Sequence, residues 1–141
     1  MVKNIFVNLP VKDLEKSKAF FSSLGFSFDP RFTDENAACL VLGENIYAML
    51  LTGPFFRTFT RKDLCDAARC TEVLIAIDAQ SRAEVDALVR KALAAGGTLY
   101  VDKPQDYGWM YGHGFADLDG HQWEVLYMDE SAIPEKTSSE A

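Results

Sequence analysis

The residue types best suited to acid–base chemistry stand near the carboxyl end of the sequence. Glu124 lies in the apolar run 122–128, and His113 lies between Gly112 and Gly114. Side chains alternate along a strand, so Glu124 faces away from its apolar neighbours, and glycine inside a strand often marks the close approach of a ligand. Because histidine titrates near neutral pH, we predict that Glu124 and His113 act together as catalytic residues. The alternatives are a solvated carboxylate at Glu124 and a strand irregularity at His113.

Aromatic and acidic side chains gather just before this strand. Trp109 and Tyr111 follow Asp106 in a predicted loop. Rings in such a place can stack on a flat ligand, and a nearby carboxylate favours a cation, so we predict that Trp109 and Tyr111 bind the ligand. A second aromatic group lies in the middle of the chain, at Phe55, Phe56 and Phe59. The alternative for both groups, and the one we favour, is packing within the domain or against a partner subunit.

The composition restricts the class of partner. The chain has 141 residues, 48% of them hydrophobic, and its 14 basic and 21 acidic side chains give a net charge of -7. This size and composition fit one globular domain and exclude a disordered or collagen-like chain. The negative charge argues against nucleic acid or an anionic membrane surface as a partner, whereas neutral or cationic small molecules remain compatible.

The cysteines and the apolar segments predict a cytoplasmic protein. Three cysteines, Cys39, Cys65 and Cys70, form no CxxC pair and are too few for a disulfide framework. Cys39 is predicted to be a buried small hydrophobe, while the basic residues near Cys65 and Cys70 are of the kind that lowers a thiol pKa. No apolar run approaches the roughly 20 residues of a membrane span, and the N-terminus lacks the layout of a signal peptide.

The elements that must position these side chains occur in two copies with the same order: strand, helix, short strand, hairpin. Asp13 and the pair Ser81 and Glu84 are predicted helix N-caps, and Gly25 and Gly96 are predicted helix stops. The predicted strands of the first copy are residues 3–9, 26–28, 38–42 and 45–51. Those of the second copy are residues 72–78, 98–101, 110–117 and 122–128.

A long connection, residues 52–70, joins the copies and contains the helix-compatible segment 61–69. Each copy reads as a βαβββ module, and a four-stranded sheet with one helix cannot bury both of its faces. We therefore predict an α+β fold in which two tandem modules pair edge to edge into a curved mixed sheet. The helices would lie on the convex side, and the concave side would form the ligand cleft.

Two segments carry a family resemblance: VKDLEKSKAFFSSLGF at residues 11–26 and GFADLDGHQWEVLYMD at residues 114–129. In the twofold βαβββ order they resemble the vicinal oxygen chelate superfamily, which includes glyoxalase I, extradiol dioxygenases, fosfomycin-resistance enzymes and bleomycin-resistance proteins. The resemblance is closest to the bacterial glyoxalase-like branch. Because this fold hosts isomerases, lyases, dioxygenases and drug-binding proteins, it implies an architecture more specifically than an activity.

The resemblance also implies a divalent metal that acts as a Lewis acid on two neighbouring substrate oxygens. Four strand positions, two in each module, would supply its His, Gln or Glu ligands, and here they correspond to Phe6, Tyr47, Leu74 and Glu124. Only Glu124 matches a family metal ligand. Zinc, nickel and iron sites need three or four suitable donors, so we predict no cofactor. The alternative is Zn, Ni, Fe or Mn at a site rebuilt from Glu124, Glu72, His113 or His121.

Polar neighbours of the four positions complete the predicted ligand site. Asn8 shares a strand face with Phe6, Glu72 shares a face with Leu74, and Tyr47 itself occupies a ligand position. We therefore predict that Asn8, Tyr47 and Glu72 bind the ligand together with Trp109 and Tyr111. His121 follows Asp119 and Gly120 at a hairpin tip and is predicted to be a turn residue.

The sequence thus predicts one domain at residues 1–129, with module one at 3–51, module two at 71–128 and a flexible tail at 130–141. Open sheet edges, and the pairing common in the resembled family, predict a homodimer. The predicted function is the binding of a small molecule in the concave cleft without a full metal site, as in bleomycin-resistance proteins. The alternative is a metal-dependent glyoxalase-like lyase or isomerase, or a dioxygenase, that acts on a small oxygen-bearing substrate.

Overall fold

The computed structural model describes residues 1–136, and these have the predicted α+β architecture. The strands are β1 (Ile5–Val11), β2 (Ser27–Asp29), β3 (Ala37–Gly43), β4 (Ile46–Thr52), β5 (Leu74–Asp78), β6 (Gln105–Asp106), β7 (Met110–Ala116) and β8 (Gln122–Met128). The helices are α1 (Leu14–Ser23), α2 (Gly53–Phe56) and α3 (Arg82–Ala94). Part of the predicted tail, residues 137–141, lies outside the described residues.

The two long helices begin and end where their capping residues predict. The Asp13 carboxylate accepts a hydrogen bond from the Lys16 amide, and the Ser81 hydroxyl accepts one from the Glu84 amide. Each helix is followed by a glycine with positive φ, Gly25 at 99° and Gly96 at 106°. Only glycine adopts this conformation without steric cost, so each helix stops at that point.

The strands form two four-stranded sheets of the same topology, β1-β4-β3-β2 and β5-β8-β7-β6. In each sheet the first pair is parallel and the other two pairs are antiparallel. The twofold βαβββ arrangement is therefore confirmed. Within residues 1–136 the structure contains no helix long and apolar enough to cross a membrane.

The two modules share one hydrophobic core on the helix side of both sheets. The Phe21 ring of α1 packs edge-on against Trp123 of β8, with 5.3 Å between ring centroids, and Phe20 lies 6.0 Å from Phe115 of β7. None of these four side chains is more than 2% exposed. The opposite side of each sheet carries neither of the long helices α1 and α3 and lies outside this core. We call it the helix-free face; it is the side on which the resemblance places the cleft.

The structure differs from the sequence-based expectation in how the modules meet. The two sheets stay separate among the described residues, instead of joining edge to edge within one chain. The reason is that the modules are fastened through the aromatic rings between their helix sides. The helix-free faces of the two modules therefore belong to two separate sheets of one chain.

Two local predictions were also wrong. The strand expected at residues 98–101 reduces to one bridge between Thr98 and Ala116, and the edge strand β6 lies further along, at Gln105–Asp106. The Arg82 guanidinium makes two hydrogen bonds to the Asp106 carboxylate, at 2.6 and 3.1 Å, and so fastens this segment beside β7. In the connection, the helix is α2 and not the charged segment 61–69, because Pro54 lies in its first turn, where proline is favoured.

Candidate functional site

Glu124 lies on the helix-free face of module two. It pairs across β8 with Ala76 of β5 on one side and Gly114 of β7 on the other. Its strand neighbours Trp123 and Val125 are buried in the core, so alternation directs the carboxylate to the opposite side, as the sequence predicted.

Glu124 lines a small pocket of about 140 Å³. Its wall includes Tyr100, Lys103 and Gln105, from the segment between α3 and β7. Burial, and secondarily the negative charge of Glu124, raise the pKa of the Tyr100 hydroxyl above its ordinary value. The pocket thus combines a half-buried carboxylate with a neutral phenol.

Tyr100 is a site residue that sequence reasoning missed. Its hydroxyl donates a 3.3 Å hydrogen bond to the Trp123 carbonyl and lies against Gly114. A Cβ at Gly114 would overlap the Tyr100 hydroxyl and would lie 2.6 Å from the Trp123 carbonyl oxygen. The sequence signal for Tyr100 was Gly114 itself, because a glycine inside a strand marks a close approach, and here a tyrosine from another segment of the chain packs against it.

His113 borders the same pocket as Glu124, from the neighbouring strand β7. It pairs with Val125, and it shares its strand face with Tyr111 and Phe115, both of which pack towards the core and α3. Strand alternation directs the two side chains to opposite faces of the sheet, and the acid–base pairing of His113 with Glu124 stays a prediction. The Nδ1 atom of His113 is buried and makes no hydrogen bond to the described residues.

Tyr111 lies on the helix side and fastens β7 to α3. Its hydroxyl donates a 2.6 Å hydrogen bond to Asp86, which raises its pKa to about 12, and the Arg82 guanidinium lies 5.0 Å from its ring centroid. These contacts give the Tyr111 side chain a structural role, and its predicted role in ligand binding stays a prediction. Trp109 directly precedes β7 and is partly exposed, and its carbonyl accepts a 2.7 Å hydrogen bond from the Asp129 amide.

The helix-free face of module one carries a stack of two rings. Phe6 pairs with Tyr47 across the parallel strands β1 and β4, with 4.9 Å between their ring centroids and 13° between their planes. Asn8 lies one step further on the same face of β1, beside Met49 of β4. The Phe6 and Tyr47 positions are thus aromatic and uncharged, whereas the corresponding face of module two has the Glu124 carboxylate.

These side chains do not fit the divalent metal that the resemblance implies. Phe6 and Leu74 have no donor atom, the phenol of Tyr47 is stacked on Phe6, and Glu124 is the single carboxylate at the four positions. Within residues 1–136 no group of three or more His, Cys, Asp or Glu side chains could hold a metal ion.

Two further cavities adjoin Asn8. One, of about 430 Å³, is bounded by Arg31, Phe32, Phe55 and Phe59, and the last two rings pack edge-on at 5.1 Å. The Phe-rich connection thus covers module one of its own chain, as the packing alternative expected.

The other cavity, of about 310 Å³, lies between the modules under the connection. It brings Asn8 together with Glu72, two of the predicted ligand-binding residues, beside Gln122. The Thr71 hydroxyl donates a 3.0 Å hydrogen bond to the Gln122 side chain. We call this space the inter-module cavity.

His121 is a structural residue, as predicted from its position in a turn. Its Nε2 lies 2.7 Å from the Pro10 carbonyl, and the Lys12 amide donates to Asp119, so the β7–β8 turn is joined to the end of β1. Asp117 accepts hydrogen bonds from the Trp123 indole and from two turn amides, and its burial raises its pKa. This cluster fixes the position of module one relative to module two.

The chain is similar to proteins described as bleomycin-resistance or glyoxalase proteins. Residues 3–43 match the family model for a bleomycin resistance protein-like N-terminal region. The structure of the hypothetical protein SA1046 from S. aureus is 32% identical over 90% of this chain and 95% of its own, with a TM-score of 0.76. No protein of curated function matches the sequence.

Less similar structures share the fold. A glyoxalase/bleomycin resistance protein/dioxygenase family enzyme from Burkholderia phytofirmans PsJN is 18% identical, with 87% of this chain and 96% of its own covered and a TM-score of 0.71. The fosfomycin resistance protein FosX from Listeria monocytogenes is 21% identical over 100% of both chains, with a TM-score of 0.66. A mutant of FosX is known in complex with Mn(II) and a dihydroxypropylphosphonic acid.

Proposed function

The chain belongs to the vicinal oxygen chelate superfamily, and we propose that it binds a small organic molecule on its helix-free faces without the superfamily's complete metal site. The observation that carries this proposal is the contrast among the four ligand positions. Glu124 is directed into a pocket on the helix-free face, while Phe6 and Tyr47 form a ring stack and Leu74 is aliphatic. A carboxylate with aromatic surfaces suits binding better than metal-assisted chemistry.

The proposed ligand is a planar aromatic molecule with a positive charge. The Phe6–Tyr47 stack and the cavity bounded by Phe55 and Phe59 offer aromatic surfaces, and Glu124 offers a negative charge in a pocket that it shares with Met110 and Leu126. Aromatic rings attract flat ligands and cations, and a partly desolvated carboxylate adds electrostatic selectivity. The net charge of -7 further favours the approach of a cation.

We propose that the binding unit is a homodimer. Strands β1 and β5 each lie at the edge of a sheet, and the apolar side chains there are exposed: Ile5 at 55%, Phe6 at 49%, Val73 at 54% and Leu74 at 52%. Open apolar edges of this kind pair readily with a second chain. Module one of one protomer would then face module two of its partner, and the ring stack would meet Glu124 across a shared cleft.

The second candidate is a metal-dependent enzyme of the glyoxalase or dioxygenase type, favoured by the one matching ligand, Glu124. It requires further donors that the remaining three positions do not offer. Under either function we place the protein in the cytoplasm, since its three cysteines form no disulfide framework.

Replacement of Glu124 by Gln tests the proposal, because it removes the charge and keeps the shape. We expect a cationic acridine dye to bind the Glu124→Gln variant about tenfold more weakly, a loss of ~1.4 kcal/mol, as measured by fluorescence titration. Glu44, exposed in the β3–β4 turn, supplies the control: Glu44→Gln makes the same charge change and should leave the affinity unchanged. Equal dye affinities of the wild type and the Glu124→Gln variant would contradict the proposal.

A thermal-shift series with Zn²⁺, Ni²⁺, Mn²⁺ and Fe²⁺ separates the two functions. A metal present at 100 times its Kd stabilises the folded protein by about 2.7 kcal/mol. We expect no stabilisation that depends on Glu124. A shift that Glu124→Gln abolishes would replace the binding proposal by the enzymatic one.

A further inference from the structure

Two of the three cysteines lie next to each other at the surface of the connection. Cys65 and Cys70 are both exposed, and the Cys65 thiol points at the Cys70 carbonyl, with 3.8 Å between Sγ and O. After burial, Cys70 is also the neighbour that contributes most to the raised pKa of the Cys65 thiol, so the two side chains lie within reach of each other, as a disulfide requires. The third cysteine, Cys39, is 1% exposed in β3 and is excluded from such chemistry by its burial.

The turn between the two thiols is held by hydrogen bonds. The amides of Arg69 and Cys70 both donate to the Asp66 carbonyl at 2.9 Å, and the Ala68 amide donates to the Asp66 carboxylate at 3.1 Å. These bonds return the chain on itself and keep Cys70 beside Cys65. The pair is therefore preorganised by backbone structure rather than by an accident of side-chain conformation.

The same turn rests on module two and forms part of the roof of the inter-module cavity. A Cβ at Gly120 would lie 2.7 Å from the Ala67 carbonyl oxygen and 2.8 Å from the Ala68 Cα, so the turn contacts the β7–β8 hairpin closely. Both Cys65 and Cys70 line the inter-module cavity, on whose wall Asn8 and Glu72 lie. A covalent bond between the thiols would fix the segment that covers this cavity.

We propose that Cys65 and Cys70 are a dithiol modification site, oxidised reversibly to an intramolecular disulfide by small disulfide oxidants such as glutathione disulfide. One thiolate attacks the oxidant, forms a mixed disulfide and releases one glutathione thiol. The second cysteine then attacks the protein-side sulfur and releases the other glutathione. In total two cysteine thiols and one glutathione disulfide become one protein disulfide and two glutathione thiols, so that the cysteines are oxidised and the glutathione is reduced.

The surroundings make this exchange slow. Desolvation, the neighbouring Cys70 and the negative charges of Glu72 and Asp66 raise the pKa of the Cys65 thiol, contrary to the lowering that nearby basic residues suggested from the sequence. A thiol that is mostly protonated at neutral pH reacts slowly even when the product is favourable. The site therefore responds to sustained oxidation, and redox equilibration should be followed over hours.

The test is intact-mass analysis of the reduced full chain after equilibration in glutathione buffers of graded ratio, with acid quenching and alkylation of free thiols under denaturing conditions. In the oxidising buffers we expect the wild type to carry one alkyl group instead of three and to have lost two hydrogen masses. Dithiothreitol should restore all three alkylatable thiols. The Cys39→Ser variant is the control and should form the same disulfide.

The single variants decide whether the pair acts as a unit. Cys65→Ser and Cys70→Ser should each accumulate a mixed disulfide with glutathione and no intramolecular bond. Three free thiols in the wild type under the most oxidising buffer, a stable glutathione adduct on the wild type, or a crosslink between two chains would each overturn the proposal.

Hydrogen exchange tests the consequence for the connection. In the oxidised wild type we expect the amides of residues 66–73 to exchange about tenfold more slowly than in the reduced protein, because the crosslink suppresses local opening. Amides of α3 supply the internal reference and should not change. Equal exchange of residues 66–73 in both redox forms would show that the disulfide does not stiffen this segment. That result would overturn the inference that the disulfide fixes the segment covering the inter-module cavity.

Discussion

The helix-free faces of the two modules occupy the same topological place and carry different chemistry. The Tyr47 position on β4 corresponds to Glu124 on β8, and the residues paired with them on the next strand are Val41 and Gly114. Module one thus fills its face with a ring stack and an aliphatic side chain. Module two keeps a carboxylate and leaves room beside it for Tyr100. The repeated fold determines where side chains meet a ligand, and each module sets the chemistry independently.

The largest expected effect is a difference in stability between alanine substitutions at Gly114 and at its counterpart Val41. The change Gly114→Ala places a Cβ where the Trp123 carbonyl oxygen and the Tyr100 ring leave no room, and we expect the free energy of unfolding to fall by about 2–3 kcal/mol. The matched change Val41→Ala, on the half-buried counterpart in module one, should cost about 1 kcal/mol or less. Urea unfolding measures both. Equal losses at the two positions would show that Tyr100 simply moves aside.

An intermediate effect on stability at alkaline pH is expected from the hydrogen bond that joins β7 to α3 in module two and has no counterpart at Ala38 in module one. Tyr111 of β7, whose counterpart in β3 is Ala38, has a pKa raised to about 12 by its hydrogen bond to Asp86, burial and the Asp86 charge. This folded-state pKa exceeds the unfolded-state value near 10. The stabilisation of the folded protein by protonated Tyr111 is therefore complete below pH 10 and is lost as the pH rises towards about 12.

The variant Asp86→Asn should bring the Tyr111 pKa back towards 10 and start the alkaline loss of stability earlier. Tyrosinate absorbance measures the titration, and Tyr111→Phe identifies which of the five tyrosines has moved. An unchanged titration in Asp86→Asn would mean that the hydrogen bond does not hold Tyr111 in its protonated form.

The smallest effect on stability is expected at Phe6. Its side chain is 49% exposed and packs on one face only, so Phe6→Lys should lower the free energy of unfolding by about 1 kcal/mol or less. The same change places a charge on the apolar edge proposed for dimer contact, so sedimentation analysis should show monomers. Lys3→Gln, a change next to the same strand outside the apolar edge, is the control and should leave the dimer intact. A Phe6→Lys protein that remains dimeric would move the interface elsewhere.

The sequence predicted those features that depend on local chemistry. Asp13 and Ser81 cap their helices because a short polar side chain reaches an amide three residues on. Glu124 reached its predicted face because strict alternation between two buried neighbours leaves one direction. The twofold order of the modules followed from the repeated pattern of strands, helix and hairpin, and the family resemblance agreed with it.

The remaining errors have a common origin in contacts between distant segments. His113 shares its face with Tyr111 and Phe115, and counting from these two apolar residues would have placed it on the helix side. From the sequence, the glycines beside it indicate either the approach of a ligand or a strand irregularity, whereas in the structure Gly114 makes room for Tyr100. The strand at β6 depends on the reach of Arg82 from another element, which no local pattern records.

The aromatic contact between α1 and module two has a consequence for the chain as a whole. Phe20 and Phe21 belong to the first half of the polypeptide, and the rings they cover, Phe115 and Trp123, belong to the second. If the two modules were expressed as separate chains, each would expose to water the aromatic rings that it buries against the other in the intact protein. Each module should therefore fold fully only in the presence of the other. Mixing the two separately produced modules would measure how strongly they associate.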